Sequence, residues 1–374
     1  MTLRIASARN DILVDETGRR YIDLFSAHGT VWLGHAHPAI AARVAEQLRR
    51  VWVTGGLETA VFEEARAAVE AVLPASHGVA ALYSTGMEAA EFAIRVARVV
   101  TGRPGVAGFE RSMHGKSVAT AYLGWYNRDG VALPSFHRLP FVPVVSEDEI
   151  LDRLGAVLGP GTVGAVFVEP LQASGGGHMA SPPFYGEVAR LCRRHGAMLV
   201  FDEILTGFHR TGPPFFFSGL GLTPDIVLIG KAMGNGFPVS GVVLDRRHAI
   251  RSEMLPGSTY AGNALASAAV AATVAEMRAL DLPAAVARIE RTVADIFGPL
   301  RERGLVLRGR GALWVLELAT AADAQTAVAD IFGAGVAVGY TGRQLRILPA
   351  ATIEPDNLAR ACAVIARHLP GAGA

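Results

Sequence analysis

Cysteine and charge are both scarce in this 374-residue chain, and each shortage removes a class of protein. Only Cys192 and Cys362 are present, and each falls in a helix-like segment. That excludes a disulfide framework and leads us to expect buried free thiols in a reducing compartment. Charged residues make up 18% of the chain, net charge is +1 and no long charge run occurs. Nothing here attracts nucleic acid or an anionic membrane surface. Long apolar runs are missing too. The most apolar stretch, Ala264 to Val274, is too short to cross a bilayer and is built of small residues. The opening "MTLRIASARNDILVDETG" is too polar and interrupted for a secretory leader. These absences lead us to expect a soluble cytoplasmic protein.

Apolar side chains are plentiful. At 51% hydrophobic, the chain can bury a sizeable core, in one large domain or two smaller ones. From about residue 79 to 250, short apolar runs alternate with helical stretches. The runs are 79–84, 163–169, 197–202, 225–230 and 239–244, and they show little polar alternation, as strands covered on both faces do. Residues 87–100 and 184–196 have helical periodicity, and a glycine ends the second. This pattern predicts an α/β fold with a mostly parallel central sheet. Residues 10–25 read as a hairpin turning at Thr17-Gly18, with helices near 38–52 and 58–73 and a long helical region over 263–303. The tail reads as an α+β unit. We therefore expect a large α/β domain over 36–275 and a small α+β domain made from 1–35 and 276–374.

Sites in open α/β sheets lie at the carboxyl ends of the strands. Here those ends read Ser84-Thr85-Gly86, Glu169-Pro170, Asp202-Glu203 and Gly230-Lys231. Lys231 is either a surface lysine closing a strand or a Schiff-base lysine desolvated into a nucleophile. A P-loop is excluded, because Asp225 and Ala232 stand where glycine and a hydroxyl residue are needed. Asp202 follows "AMLVF" and needs a partner. It is either a cap or structural ion pair, with Arg210 available, or the carboxylate that keeps the pyridine nitrogen of pyridoxal phosphate protonated. In the latter case Ile204 can pack on the ring face. "STGMEAAE" (84–91) is either an ordinary capping box, Thr85 to Glu88, or a phosphate-binding turn in which Gly86 lets the backbone approach. Gly159 to Gly164 matches G-x-G-x-x-G, but it precedes a strand and reads as a loop. His28, His35 and His37 cluster without spaced acidic or cysteine partners, so no metal is expected.

These residues, in this order, resemble the class III aminotransferases, pyridoxal-phosphate enzymes of fold type I, along nearly the whole chain. The blocks that carry the resemblance are "DETGRRYIDLFSAHGTVWLGHAHPAI", "STGMEAAEFAIRVARVVTGR", "SMHGKS", "VFVEPLQASGG", "LVFDEILTGFHRTG", "PDIVLIGKAMGNGFPVSG" and "STYAGNALASAA". The resemblance implies that Lys231 is the Schiff-base lysine and that Asp202 pairs with the pyridine nitrogen. Ser84, Thr85 and Gly86 would begin the phosphate cup, with Glu169 and Gln172 near the ring substituents. Met87, Met113 and His114 would complete the cofactor site, and Thr259 would reach the cofactor of a partner subunit in a homodimer. Arg346 matches an arginine that binds a substrate carboxylate in part of the family; otherwise it is a strand arginine paired to a surface acid. His28 and Trp32, with Phe25, Trp125 and Tyr126, are either an aromatic substrate pocket or core.

Three positions depart from the family pattern. Met87 replaces a hydroxyl residue of the phosphate cup. Met113 replaces an aromatic that stacks on the ring, which a polarizable sulfur can still cover. Ser174 replaces the glutamate that gates the carboxylate arginine in ornithine- and GABA-type members, which leans against those substrates. The resemblance implies an aminotransferase that moves an amino group from an amino-acid or amine donor to an aldehyde or ketone. An aminomutase or epimerase of the glutamate-semialdehyde type uses the same residues, and a non-catalytic pyridoxal-phosphate-binding protein is the third reading.

Overall fold

The computed structural model describes residues 4–125, 133–248, 250, 257–302 and 304–369. Among the described residues, three sheets carry fifteen strands. The N-terminal hairpin contributes β1 (Ile5–Arg9), β2 (Ile12–Asp15) and β3 (Arg20–Asp23). The Asp15 carboxylate closes its turn by accepting from the amides of Thr17 and Arg19. The central strands are β4 (His77–Tyr83), β5 (Gly105–Phe109), β6 (Phe136–Leu139), β7 (Val163–Val168), β8 (Met198–Asp202), β9 (Ile226–Gly230) and β10 (Ser240–Asp245). The C-terminal region supplies β11 (Val306–Arg310), β12 (Leu313–Glu317), β13 (Val336–Ala337), β14 (Gly339–Thr341) and β15 (Gln344–Ile347).

The seven central strands form one sheet in the order β4-β10-β9-β8-β7-β5-β6. Every residue of β5, β7, β8, β9 and β10 is buried. Their unbroken apolar character therefore reflects cover on both faces. One expectation needs refining: β10 runs antiparallel to both β4 and β9. The other strands all point the same way, so their carboxyl ends share one edge with the start of β10. β5 and β6 have no counterpart in the sequence reading. "GVAGF" has two glycines, and "FHRL" carries histidine and arginine, so neither shows a strong strand pattern. The helical region over 263–303 consists of two helices, Ala264–Ala279 and Leu282–Glu302.

The chain ends meet. β13 pairs in parallel with β3, Val336 opposite Ile22, and the Leu348 amide donates to Leu24 O at 2.7 Å. That second link sets β15, which carries Arg346, beside the turn that follows β3. Cys192 and Cys362 lie buried and free in helices Pro182–His195 and Pro355–Arg367. Among the described residues, no helix is long and apolar enough to cross a membrane.

Candidate active site

The carboxyl edge of the central sheet gathers the residues picked out above. β9 is wholly apolar, so its first polar side chain, Lys231, projects where the strand leaves the core. Lys231 turns the chain with a left-handed φ of 44° into the short helical turn Lys231–Gly234. The residue is partly buried, and desolvation pushes its amine below the ordinary ammonium range against the pull of Asp202 and Glu169.

Asp202, at the end of β8, is buried and partnered. Its Oδ2 lies 2.8 Å from Nδ1 of His114, and its Oδ1 accepts from the Ile204 amide at 3.2 Å. Arg210, the partner considered from sequence, is elsewhere. Its guanidinium donates to Gly29 O and Pro349 O and stacks 3.8 Å over the ring of Trp32. His114, expected at the cofactor, stands behind Asp202 with 1% exposure and edge-on to Phe167.

Glu169 follows β7. Its Oε2 accepts from the Met113 amide at 2.6 Å. Burial, then the neighbouring Asp202 charge, pushes its carboxyl up to about 8. Gln172, fully buried, donates through Nε2 to Glu110 O and Ser112 Oγ, both at 3.0 Å. Its Oε1 is buried with no partner.

The turn after β4 forms the helix cap expected of it and leaves amides open. Thr85 caps helix Gly86–Thr101 by accepting from the Glu88 amide at 3.1 Å. Glu88 reaches back one residue too far for an ordinary box, to the Ser84 amide at 2.9 Å. The amides of Thr85, Gly86 and Met87 have no hydrogen-bond partner among the described residues, and open amides at a helix start can hold an anion. Ile204 fills the floor between this turn and Lys231: its Cδ1 stands 2.7 Å from where a Gly86 Cβ would be. Met87 folds over Gly115, two residues from Met113, so both methionines border one short loop. Sequence reasoning missed Ser240, whose hydroxyl donates to Thr85 O at 2.7 Å and pins the turn. A polar residue opening an apolar strand was the available signal.

Arg346 is brought to the same region by β15. It is buried, donates to Ser174 Oγ at 3.2 Å, and approaches His28 Nδ1 at 3.5 Å. Among the described residues it has no paired acid. His28 closes a turn in which Ser26, Ala27 and His28 all have positive φ, a strained run held by Asp23 Oδ1 accepting from the Phe25 and Ser26 amides. Burial, then the charges of Arg346, Lys231 and Lys116, lowers the His28 pKa to about 4. Trp32 needs correction as a substrate residue. It is wholly buried beneath Arg210, and a ring with no exposed surface here is core rather than pocket wall. Trp125 shares a surface cavity with Arg111, Arg138 and Thr341, and Tyr126 lies outside the described residues. Thr259 is exposed and shares no hydrogen bond with the other candidates. The three clustered histidines disperse: His35 pairs with Asp23 and His37 faces Glu276.

A lysine with a depressed pKa, a histidine-backed aspartate, a helix start with free amides and an orphaned glutamine oxygen suit one flat, anionic, nitrogen-ring cofactor. They define a pyridoxal-phosphate enzyme of fold type I. Comparison with known proteins agrees. The family model described as "Aminotransferase class-III" matches residues 1–369. A putative [LysW]-aminoadipate semialdehyde/glutamate semialdehyde transaminase of Pyrobaculum aerophilum is 34% identical over 363 residues, 95% of this chain and 92% of that protein. An acetylornithine aminotransferase of Halalkalibacterium halodurans is 35% identical over 281 residues, covering 73% and 70%. Among solved structures, a PLP-bound amine transaminase from an uncultivated Pseudomonas species superposes with a TM-score of 0.91 at 24% identity, covering 100% and 96%. The Toxoplasma gondii ornithine aminotransferase gives 0.87 at 26%, covering 98% and 90%. The chain belongs to the class III aminotransferases and is a pyridoxal-phosphate-dependent transaminase. These relatives favour amino transfer over the aminomutase alternative.

Proposed function

We propose that this transaminase exchanges the amino group of an acid-bearing amino donor with an aldehyde or oxo-acid acceptor, using Lys231 as covalent anchor and proton carrier. The observation that carries the reading is Asp202, buried and held by His114, at the same sheet edge as Lys231. Bound there, pyridoxal phosphate supplies the electron sink that no side chain provides. Asp202, held by His114, would pair with the ring nitrogen. The amides of Thr85, Gly86 and Met87, with Ser84 beside them, would hold the phosphate. Gln172 and Glu169 would hold the ring substituents, with Ile204 and Met113 as its apolar neighbours. Lys231, with its depressed pKa, is poised to take a proton from the substrate carbon and return it elsewhere. Arg346 receives a substrate carboxylate.

The names of two relatives fit such substrates: 2-aminoadipate transaminase at 31% identity and diaminobutyrate–2-oxoglutarate transaminase at 32%. The active unit in this reading is a homodimer, with exposed Thr259 reaching the partner's phosphate. The cofactor site falls in a large domain over 36–275, and Arg346 comes from a small domain made of 1–35 and 276–374. Two buried free thiols suit a cytoplasmic setting.

The test is a single half-reaction. Holoenzyme given one amino donor and no acceptor should lose its visible absorption, release one oxo product per site and stop. Continued turnover of one substrate alone would mean isomerisation instead. Lys231→Ala should release no oxo product from the donor, because the proton carrier is gone.

A further inference from the structure

Arg111, two residues past the end of β5, is an arginine where glycine would be at ease. Its φ is 71°, in the left-handed region that other residues avoid. Neighbours clamp it there. The Arg111 amide donates to Gly124 O at 2.9 Å, and a Cβ on Gly175 would fall 2.5 Å from Arg111 O. An unfavourable backbone held by its surroundings points to a use for the side chain. That use is not structural. Among the described residues, the exposed guanidinium makes one hydrogen bond, from Nη1 to His178 Nε2 at 3.3 Å, and enters no ion pair. His178 is not a counter-ion: burial, then the charges of Arg308 and Arg111, lowers its pKa to about 4. Glu317, which also acts on His178, is already shared by Arg308 and Arg343.

Arg111 lines a cleft of about 610 Å³, a volume suited to a small molecule. Residues after β5 and on β6 form one side, with Trp125 and Arg138 among them. The tip of the β14–β15 hairpin, Thr341 and Gly342, forms the other. Arg138 is loosely paired, its Nε 3.7 Å from Glu110 Oε1. Two guanidinia against one carboxylate leave the lining with one positive charge in excess. Arg346 does not line this cleft. The loop over 172–178 meets both arginines at different points: Ser174 bonds Arg346, whereas Gly175 and His178 bear on Arg111.

We propose that this cleft is a second anion site, separate from Arg346, that binds a small flat ring bearing one carboxylate. The guanidinium of Arg111 matches a carboxylate with two parallel donors. Thr341 adds a hydroxyl that can donate to the same group. Trp125 supplies an aromatic surface against which a ring can stack. One positive charge in excess matches a monoanion.

The test is calorimetry on holoenzyme with benzoate as the probe. Wild type should bind benzoate, and Arg111→Gly should bind it roughly tenfold or more weakly. Glycine suits the left-handed backbone, so this variant should fold and melt much as wild type does. Arg111→Asn, whose side chain tolerates the same φ, should lose benzoate to a similar degree. Arg346→Leu should keep the site at wild-type affinity. Benzyl alcohol, the same ring without the charge, should bind wild type about tenfold or more weakly than benzoate. Trp125→Ala should weaken benzoate several-fold. The proposal is overturned if wild type does not bind benzoate, if both Arg111 variants bind it as wild type does, or if benzyl alcohol binds equally well. It is also overturned if Arg346→Leu abolishes benzoate binding, which would put the probe at the other arginine.

Discussion

Two arginines are buried in the described part of this chain, and neither has a carboxylate beside it. Arg210 is surrounded by backbone. It reaches Gly29 O at 2.9 Å and Pro349 O at 2.7 Å, its own carbonyl accepts from the Ala312 amide at 2.8 Å, and Trp32 lies flat beneath it. Those contacts tie the N-terminal turn, the loop after β8 and the segment after β15 into one scaffold. Arg346 has a hydroxyl, a distant imidazole and an orphaned Nε. Nε lacks a partner in both, so the difference lies at the terminal nitrogens, which meet backbone carbonyls in Arg210 and only a hydroxyl and a distant imidazole in Arg346.

The sharpest way to break that comparison is to remove each guanidinium. Arg210→Leu leaves backbone carbonyls without donors and should cost about 3–5 kcal/mol of stability in a denaturant melt. Arg346→Leu removes an unpaired charge and should change stability by no more than about 1 kcal/mol, while kcat/KM for an acid-bearing donor falls by roughly 10³. Equal stability losses from the two would erase the distinction.

Asp202 sharpens it from the anionic side, since this carboxylate has its partner built in. His114→Phe keeps the packing against Phe167 but strips Asp202 of its buried donor. The half-reaction rate should drop by about 10–100-fold, with a shifted spectrum of bound cofactor. An unchanged rate would show that Asp202 needs no second residue.

Gly339→Ala probes the corner that holds Arg346. The new Cβ falls 2.6 Å from Phe25 Cδ2 and 3.6 Å from Arg346 Nη2, so the ring must move. KM for the acidic donor should rise several-fold, with a stability loss of about 1–3 kcal/mol. A KM that stays put would separate Phe25 from the subsite.

A smaller effect comes from Glu203, wholly buried with Thr206 and the Phe217 amide as donors, and raised from 4.5 to about 7 by burial. Its native form holds a proton that the unfolded form has lost between those values. Stability therefore falls as pH rises through that window, by up to roughly 1.4 kcal/mol per unit from this carboxyl. Glu203→Gln should flatten the slope of melting temperature against pH from 5 to 7. A slope that stays the same assigns the dependence to other groups, Glu169 first.

Much of the site could be read from sequence because it sits where apolar runs stop. Asp202 and Lys231 are conspicuous as polar residues ending wholly buried strands, and Thr85 announces a helix start. What escaped reading depended on contacts distant in sequence. His114 was named, but its contact with Asp202 was not, because that partner lies 88 residues on. Trp32 looks like a pocket aromatic until Arg210, far along the chain, is seen covering it. The direction of β10 could not be read, because a strand buried on both faces has the same pattern whichever way it runs. Arg346 was visible as a residue, but its lack of a counter-ion emerged only once Ser174 and His28 were placed beside it.

The central claim, that Lys231 carries the cofactor, meets its most direct test in a chain with two lysines, Lys116 and Lys231. Holoenzyme is reduced with borohydride, digested and mapped by mass spectrometry. The account predicts cofactor mass on the peptide containing Lys231 and none on that containing Lys116. A label on Lys116, or a cofactor that stays bound while both lysines remain unmodified, would contradict it.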